Sequence, residues 1–277
     1  MTCDLDGGTC VLVRGLNDVA SATAHGLFMQ GYAVAIQHEH QPPKTHRRRM
    51  GFADAFFDGS VALDGVLARR CATPAEMAGE LRARTSIPVV VGDLRHWLEA
   101  LRCTVLIDAR MRKRLPPESH CGMAALTIGL GPGHVAPETA DVVIETLWGD
   151  RLGTVLREGP ALPVTGEPRA IDGVGRERIV YAPVAGLLRS DLEIGEPVEA
   201  GALVATIDGT PIRAPISGTL RGLTRPGVSV VRGDKVLEVD PRPPERAGFS
   251  GLGERPRRIA EGVALAIRQW LDTAHAA

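Results

Sequence analysis

The sequence predicts an α/β fold in two parts: an open parallel sheet covered by helices, then a small all-β barrel built from two repeats and followed by a helix. Three observations predict it. Strand, turn, helix and strand patterns succeed one another between residues 10 and 40. Several later segments are continuous apolar runs of strand length, the pattern of strands covered on both faces. The stretch 182–208 returns as 214–240 with no gap.

The elements follow in order. CVLVR (10–14) is β-rich and apolar, a buried strand. GLND (15–18) is a turn in which Asn17 or Asp18 can cap a helix. The helix runs from Val19 to Gln30 and stops at Gly31, which suits a C-terminal cap. YAVAIQ (32–37) is the second strand, so the unit is βαβ, which requires a parallel pair. SIPVVVG (86–92), CTVLIDA (103–109), LTIGLGPG (126–133) and ADVVIET (140–146) read as further strands. PAEMAGELRAR (74–84) and DLRHWLEALR (93–102) have helical spacing. Residues 1–150 are therefore expected to form a Rossmann-like α/β domain. Residues 151–178, rich in Gly, Pro and Arg, are expected to connect it to the repeat.

In the repeat, ten of 27 aligned positions are identical, so chance is a poor explanation. The shared residues include Ala182/Ala214, Gly186/Gly218, Leu188/Leu220, Val198/Val230 and Val204/Val236. Each half is a few short strands that cannot bury a core alone. Residues 179–241 are accordingly expected to form a barrel-sandwich hybrid of the biotinyl/lipoyl-like kind. The joint between the halves, DGTPIR (208–213), lacks the lysine that carries a prosthetic group in such barrels. Arg213 cannot replace it, because a guanidinium stays protonated and is a poor nucleophile. The barrel is read as a docking or covering module. Residues 242–277 form a bridge and a closing helix, with Ile259, Val263, Ala266, Ile267, Trp270 and Leu271 on one face.

Composition bounds the function. The chain has 277 residues and a net charge of -1, which gives no reason to expect nucleic acid as a partner. No apolar run approaches a membrane span. The five cysteines are scattered and form no CxxC pair, which fits a reducing cytoplasm. The acidic start, MTCDLDGG, is unlike a signal peptide.

Candidate site residues gather where the strands end. Arg14, Gly15 and Asp18 flank the first turn, where a helix start attracts anions. Glu39 follows Gly15 at the distance of the acid that holds a ribose in nucleotide-binding βαβ units. Arg47 and Arg48 can hold a phosphate. His38 and His40 alternate across a strand, which argues against a shared metal. Asp108, Arg110 and Lys113 end another strand. Gly131 and Gly133 permit close backbone approach, and His134 beside them can titrate. His120 and Cys121 are adjacent, a poor arrangement for a nucleophile and its base.

The order of VLVRGLNDVASATAHGL, QPPKTHRRRMGFADAFFDG, VLIDARMRKR, TIGLGPGHVAPETADVVIET and LGTVLREGPALPVTGEP, followed by the repeat, resembles the accessory proteins of the selenium-dependent molybdenum hydroxylase system. The resemblance runs from about residue 10 to the C-terminus. It implies a role in maturing a xanthine-dehydrogenase-like enzyme, with that enzyme as partner. A nucleotide or molybdopterin-type cofactor is the implied ligand. The family pattern at the first turn is R-G-x-G-D; Asn17 stands where the second glycine is expected, while Arg14, Gly15 and Asp18 are kept. The family's paired arginines match Arg47 and Arg48. His38, His40, His46 and His134 look peculiar to this member. The residues leave two alternatives open: a nucleotide-dependent oxidoreductase or transferase, and a ligand-free scaffold. An oligomer is compatible with all three.

Overall fold

The computed structural model describes residues 8–112, 116–163 and 166–276. The elements begin with β1 (Cys10–Arg14), α1 (Asp18–Met29), β2 (Ala33–His38), α2 (Ala55–Asp58), β3 (Ser60–Leu63) and β4 (Val66–Cys71). They continue through α3 (Pro74–Ala83), β5 (Ile87–Val91), α4 (Leu94–Leu101), β6 (Val105–Asp108) and β7 (Leu126–Leu130). Then come β8 (Val135–Ala136), β9 (Val142–Ile144), β10 (Val155–Leu156) and β11 (Gly159–Pro160). Among the described residues nine of these strands form one sheet, in the order β10-β9-β7-β6-β1-β2-β5-β4-β3.

The interior of this sheet is parallel and buried. Every residue of β1, β6 and β7 is buried, as two-sided cover requires. Both edges are antiparallel, so the sheet is mixed where a parallel one was expected. On one side β3 and β4 form a hairpin through Asp64 and Gly65, both at positive φ. Such Asp-Gly turns match the twist of paired strands, and VALDGV carried that signal. On the other side β10 lies within the segment read as a connection and pairs with β9. β11 pairs with β8 in a separate ribbon.

Alternation along the strands sends side chains to two cores. Cys10, Leu12, Ala33 and Ala35 face Met77, Leu81, Trp97 and Leu101 of α3 and α4. Val11, Val13, Val34 and Ile36 face α1 and the C-terminal helix, α5 (Glu254–Ala276). The connections between β6, β7 and β9 supply no helix among the described residues. α5 returns from the far end of the chain and covers β7, β9 and β10 instead. The approach is close: a Cβ on Gly262 would lie 2.1 Å from the Gly153 carbonyl oxygen.

The repeat forms β12 (Ile179–Tyr181), β13 (Gly186–Arg189), β14 (Pro197–Val198), β15 (Leu203–Ile207), β16 (Thr210–Arg213), β17 (Gly218–Leu223), β18 (Ser229–Val230) and β19 (Lys235–Asp240). Two antiparallel sheets result, β12-β19-β17-β14 and β16-β15-β13-β18. Each takes two strands from each half, and the 32-residue shift carries one sheet onto the other. Neither half can complete a sheet by itself. The repeated residues line a common core: Ala182 and Ala214, Leu188 and Leu220, Val198 and Val230, Val204 and Val236. Gly186 and Gly218 both sit near φ +150°, a conformation that L side chains rarely adopt. The joint is a tight turn of Asp208 and Gly209 between the paired residues Ile207 and Thr210.

Candidate functional site

In the large sheet the chain leaves β1 for β2 on one side and later returns to β6 on the other. Loops leaving such neighbours diverge, and the crevice they open is where open α/β sheets take ligands. Here the crevice is a cleft of about 850 Å³. Its walls are the turn at Asn17 to Val19, the loop from Lys44 to Arg47, the segment around Arg169, Arg178 before β12, Arg221 of β17, and the start of α5. A smaller pocket of about 210 Å³ adjoins it, with Asn17, Lys44, Thr45 and Arg110 lining both. Among the described residues, nine cationic and four acidic side chains line the larger cleft, so its lining carries a positive excess.

The first turn is closed by its own side chains. Asn17 Oδ1 accepts from the N–H groups of Val19 and Ala20, while Nδ2 donates to the Ala109 carbonyl at 2.8 Å. Asp18 also accepts from Val19 N–H. The Val19 and Ala20 N–H groups of α1 are therefore not free to hold an anion. Gly15, at φ +124°, lies against the Ala109 backbone, where a Cβ would come within 3.0 Å.

Arg14, Glu39 and Asp108 lie in one network with Arg110, Glu118 and His120. Arg14 Nη1 donates to Glu118 Oε1 at 2.9 Å and lies 2.9 Å from His120 Nε2. Arg110 grips Asp108 with Nε and Nη2 at 2.9 and 2.7 Å. It also meets Glu39 at 3.3 Å and Glu118 at 2.7 Å. Burial opposes the Asp108 anion, but the hydrogen bonds and charge of Arg110 outweigh it and hold the carboxyl at about 2. His120 and His134 each place Nε2 3.8 Å from Asp108 Oδ2. Burial, before any other cause, lowers the pKa of both imidazoles.

The glycine loop after β7 packs on protein. A Cβ on Gly131 would lie 2.7 Å from Thr146 Oγ1, and one on Gly133 3.0 Å from Pro117. His134 lies directly on Gly129, which has no side chain to block it. Of this loop only Pro132, among the described residues, lines the cleft. Lys113 lies outside the described residues.

Arg47 and Arg48 are held by carboxylates. Arg47 donates to Glu238 through Nε at 2.7 Å and Nη2 at 3.1 Å, and its Nη1 is 3.4 Å from Asp18. Arg48 pairs with Asp54 at 3.0 Å and Glu193 at 2.9 Å. Glu238 is fully buried and also meets His46 at 3.0 Å, Arg221 at 2.9 Å and Arg178. Burial opposes its charge. The charge of Arg47 and the hydrogen bonds from His46 and Arg47 overcome that and push its pKa far below the carboxylate range. Glu238 thus fastens the loop of residues 44–50 to the repeat from behind the cleft lining, through Arg47, Arg178 and Arg221 that do line it. Sequence reasoning missed it, although KVLEVD sets a carboxylate between the apolar residues Leu237 and Val239. It also missed Arg255 in α5, whose Nε donates to the Thr146 carbonyl at 2.7 Å. Glu145, of the ADVVIET strand, is buried and accepts from the N–H groups of Thr146, Leu147 and Leu162. It anchors the backbone beside the cleft.

No protein-family model matches the chain. The chain is 38% identical over 261 residues, 94% of its length, to an Escherichia coli K12 protein named as the uncharacterized protein YqeB. It spans 48% of that relative, about half its length. Two solved structures are faintly similar. A succinylglutamate desuccinylase from a Silicibacter species is 15% identical, with 74% of this chain and 57% of that chain covered and a TM-score of 0.23. The ectoine utilization protein EutE (DoeB) from Ruegeria pomeroyi is 13% identical, with 84% and 85% covered and a TM-score of 0.24. At TM-scores this low, neither likeness carries an argument about fold or function.

Proposed function

We propose that this chain binds a phosphorylated small molecule in the cleft and serves as an accessory protein in the maturation of a molybdenum hydroxylase. The observation that carries the binding is the cationic excess of a cleft at the switch point between β1 and β6. A nucleotide or a molybdopterin-type cofactor carries phosphate oxygens of the matching polarity. In this reading the large sheet is Rossmann-like, which the order β5-β2-β1-β6-β7-β9 supports. The repeat is a barrel-sandwich hybrid without a carrier lysine, and it serves to cover the cleft and dock the client enzyme. The maturation role rests on the sequence resemblance.

The rival reading, a nucleotide-dependent oxidoreductase or transferase, draws on the Asp108–His120–His134 cluster. That cluster is buried, and neither histidine lines the cleft. A direct test is to purify the protein from a host that makes molybdenum cofactor, denature it, and identify released small molecules by mass spectrometry. A pterin is the expected result. A nicotinamide or flavin would favour the enzyme, and an empty protein the scaffold.

A further inference from the structure

Among the described residues the arginines that line the cleft are unequal. Arg47, Arg110, Arg169, Arg178, Arg221 and Arg242 each have a carboxylate within ion-pair distance. Arg255 has none. Its Nε is spent on the Thr146 carbonyl, which fixes the plane of the guanidinium. No hydrogen bond from its two terminal nitrogens to a described residue is present. Thr146 is itself buried, two residues beyond the end of β9, so the carbonyl that holds Nε belongs to a packed segment.

We infer that Arg255 reads the anion of the cleft, taking a two-oxygen anionic terminus, phosphate or carboxylate, with its two free terminal nitrogens. This rests on the cleft being the ligand site proposed above. The physical ground is geometric. A guanidinium with Nε occupied still presents a planar pair of donors, and two oxygens of one anion match that fork. The charged groups around it are Asp18 on α1, Arg47 on the loop and the buried Glu145. Asp18 is held by Arg47 and by Val19 N–H, and Glu145 by three backbone N–H groups. Burial lowers the pKa of Arg255, Arg47 lowers it further, and Asp18 and Glu145 do not restore it. A bound anion would supply the counter-charge that the protein supplies to the other six.

The test uses the full chain and two simple probes, inorganic pyrophosphate and malonate, in calorimetric titrations. Wild type is expected to bind one of them. R255Q should weaken that binding about tenfold or more, and R255K, which keeps the charge without the fork, by less. The preferred probe tells whether phosphate or carboxylate supplies the oxygens. Phenylglyoxal labelling of wild type, read by mass spectrometry, gives a second measure that needs no variant: the bound probe should protect Arg255. If wild type binds a probe but R255Q binds it equally and Arg255 is not protected, the assignment of Arg255 is overturned and the cleft stands. If wild type binds neither probe at millimolar concentration, the cleft reading falls and this inference with it.

Discussion

Position 238, in the second half of the repeat, is a fully buried glutamate; its register mate 32 residues earlier is Thr206, on the half-exposed outer face. The same contrast holds along the flanking strand. Gly222 has His46 packed on it and Leu223 N–H donates to the His46 carbonyl at 2.7 Å. The matching residues in the first half, Ser190 and Asp191, line an open groove of about 510 Å³ with Thr206. The core positions of the two halves, by contrast, are equally buried. A duplicated sequence thus kept its interior in both copies, while one outer face became the seat of the loop of residues 44–50. The interior is bound by shared packing constraints, and the outer faces are free to differ.

The comparison can be broken most severely at Glu238. E238Q should cost ~3–5 kcal/mol, because three arginines lose a buried counter-charge; a denaturant melt measures it. The effect also has a pH signature. Glu238 and Asp108 are depressed in the folded state, so the stability they add is present above the ordinary carboxylate pKa of about 4 and is lost as pH falls below it. Unfolding followed between pH 6 and pH 2 should show a steep acid limb in the wild type and a shallower one in E238Q.

Leucine truncation tests the shared interior. L188A and L220A should each cost ~2–5 kcal/mol and agree within about 1 kcal/mol, since both side chains are fully buried in one core. A large inequality would mean that the halves are not equivalent inside. G222S introduces the residue that the first half carries. Its Cβ would meet His46 at 2.8 Å, so ~1–3 kcal/mol should be lost. The smallest effect belongs to T206A, expected within about 0.5 kcal/mol of wild type.

Much of this architecture was legible in the residues. CVLVR predicted a strand that spans Cys10–Arg14, and the 32-residue register predicted which residues of the repeat share a core. Arg14, Glu39 and Asp108 were placed at one edge of the sheet because the ends of parallel strands are adjacent by construction. Asn17 was readable as a cap, though not as the clamp that also holds the Ala109 carbonyl. Arg47 was singled out as a cation, but Glu238, the partner 191 residues away, was invisible to local pattern.

Sequence alone, then, determined the central strands and longer helices, the repeat and the charges, because each depends on neighbours a few residues away or on an internal match; the short edge strands were not read from it. Tertiary structure decided which charges remain available. Whether an arginine meets a carboxylate or faces a cleft depends on contacts between distant segments: Arg47 with Glu238, Arg110 with Asp108 and Glu118, Arg255 with a backbone carbonyl. No periodicity records such contacts, since they arise when α5 folds back on the large sheet and the loop of residues 44–50 meets the antiparallel sheets of the repeat.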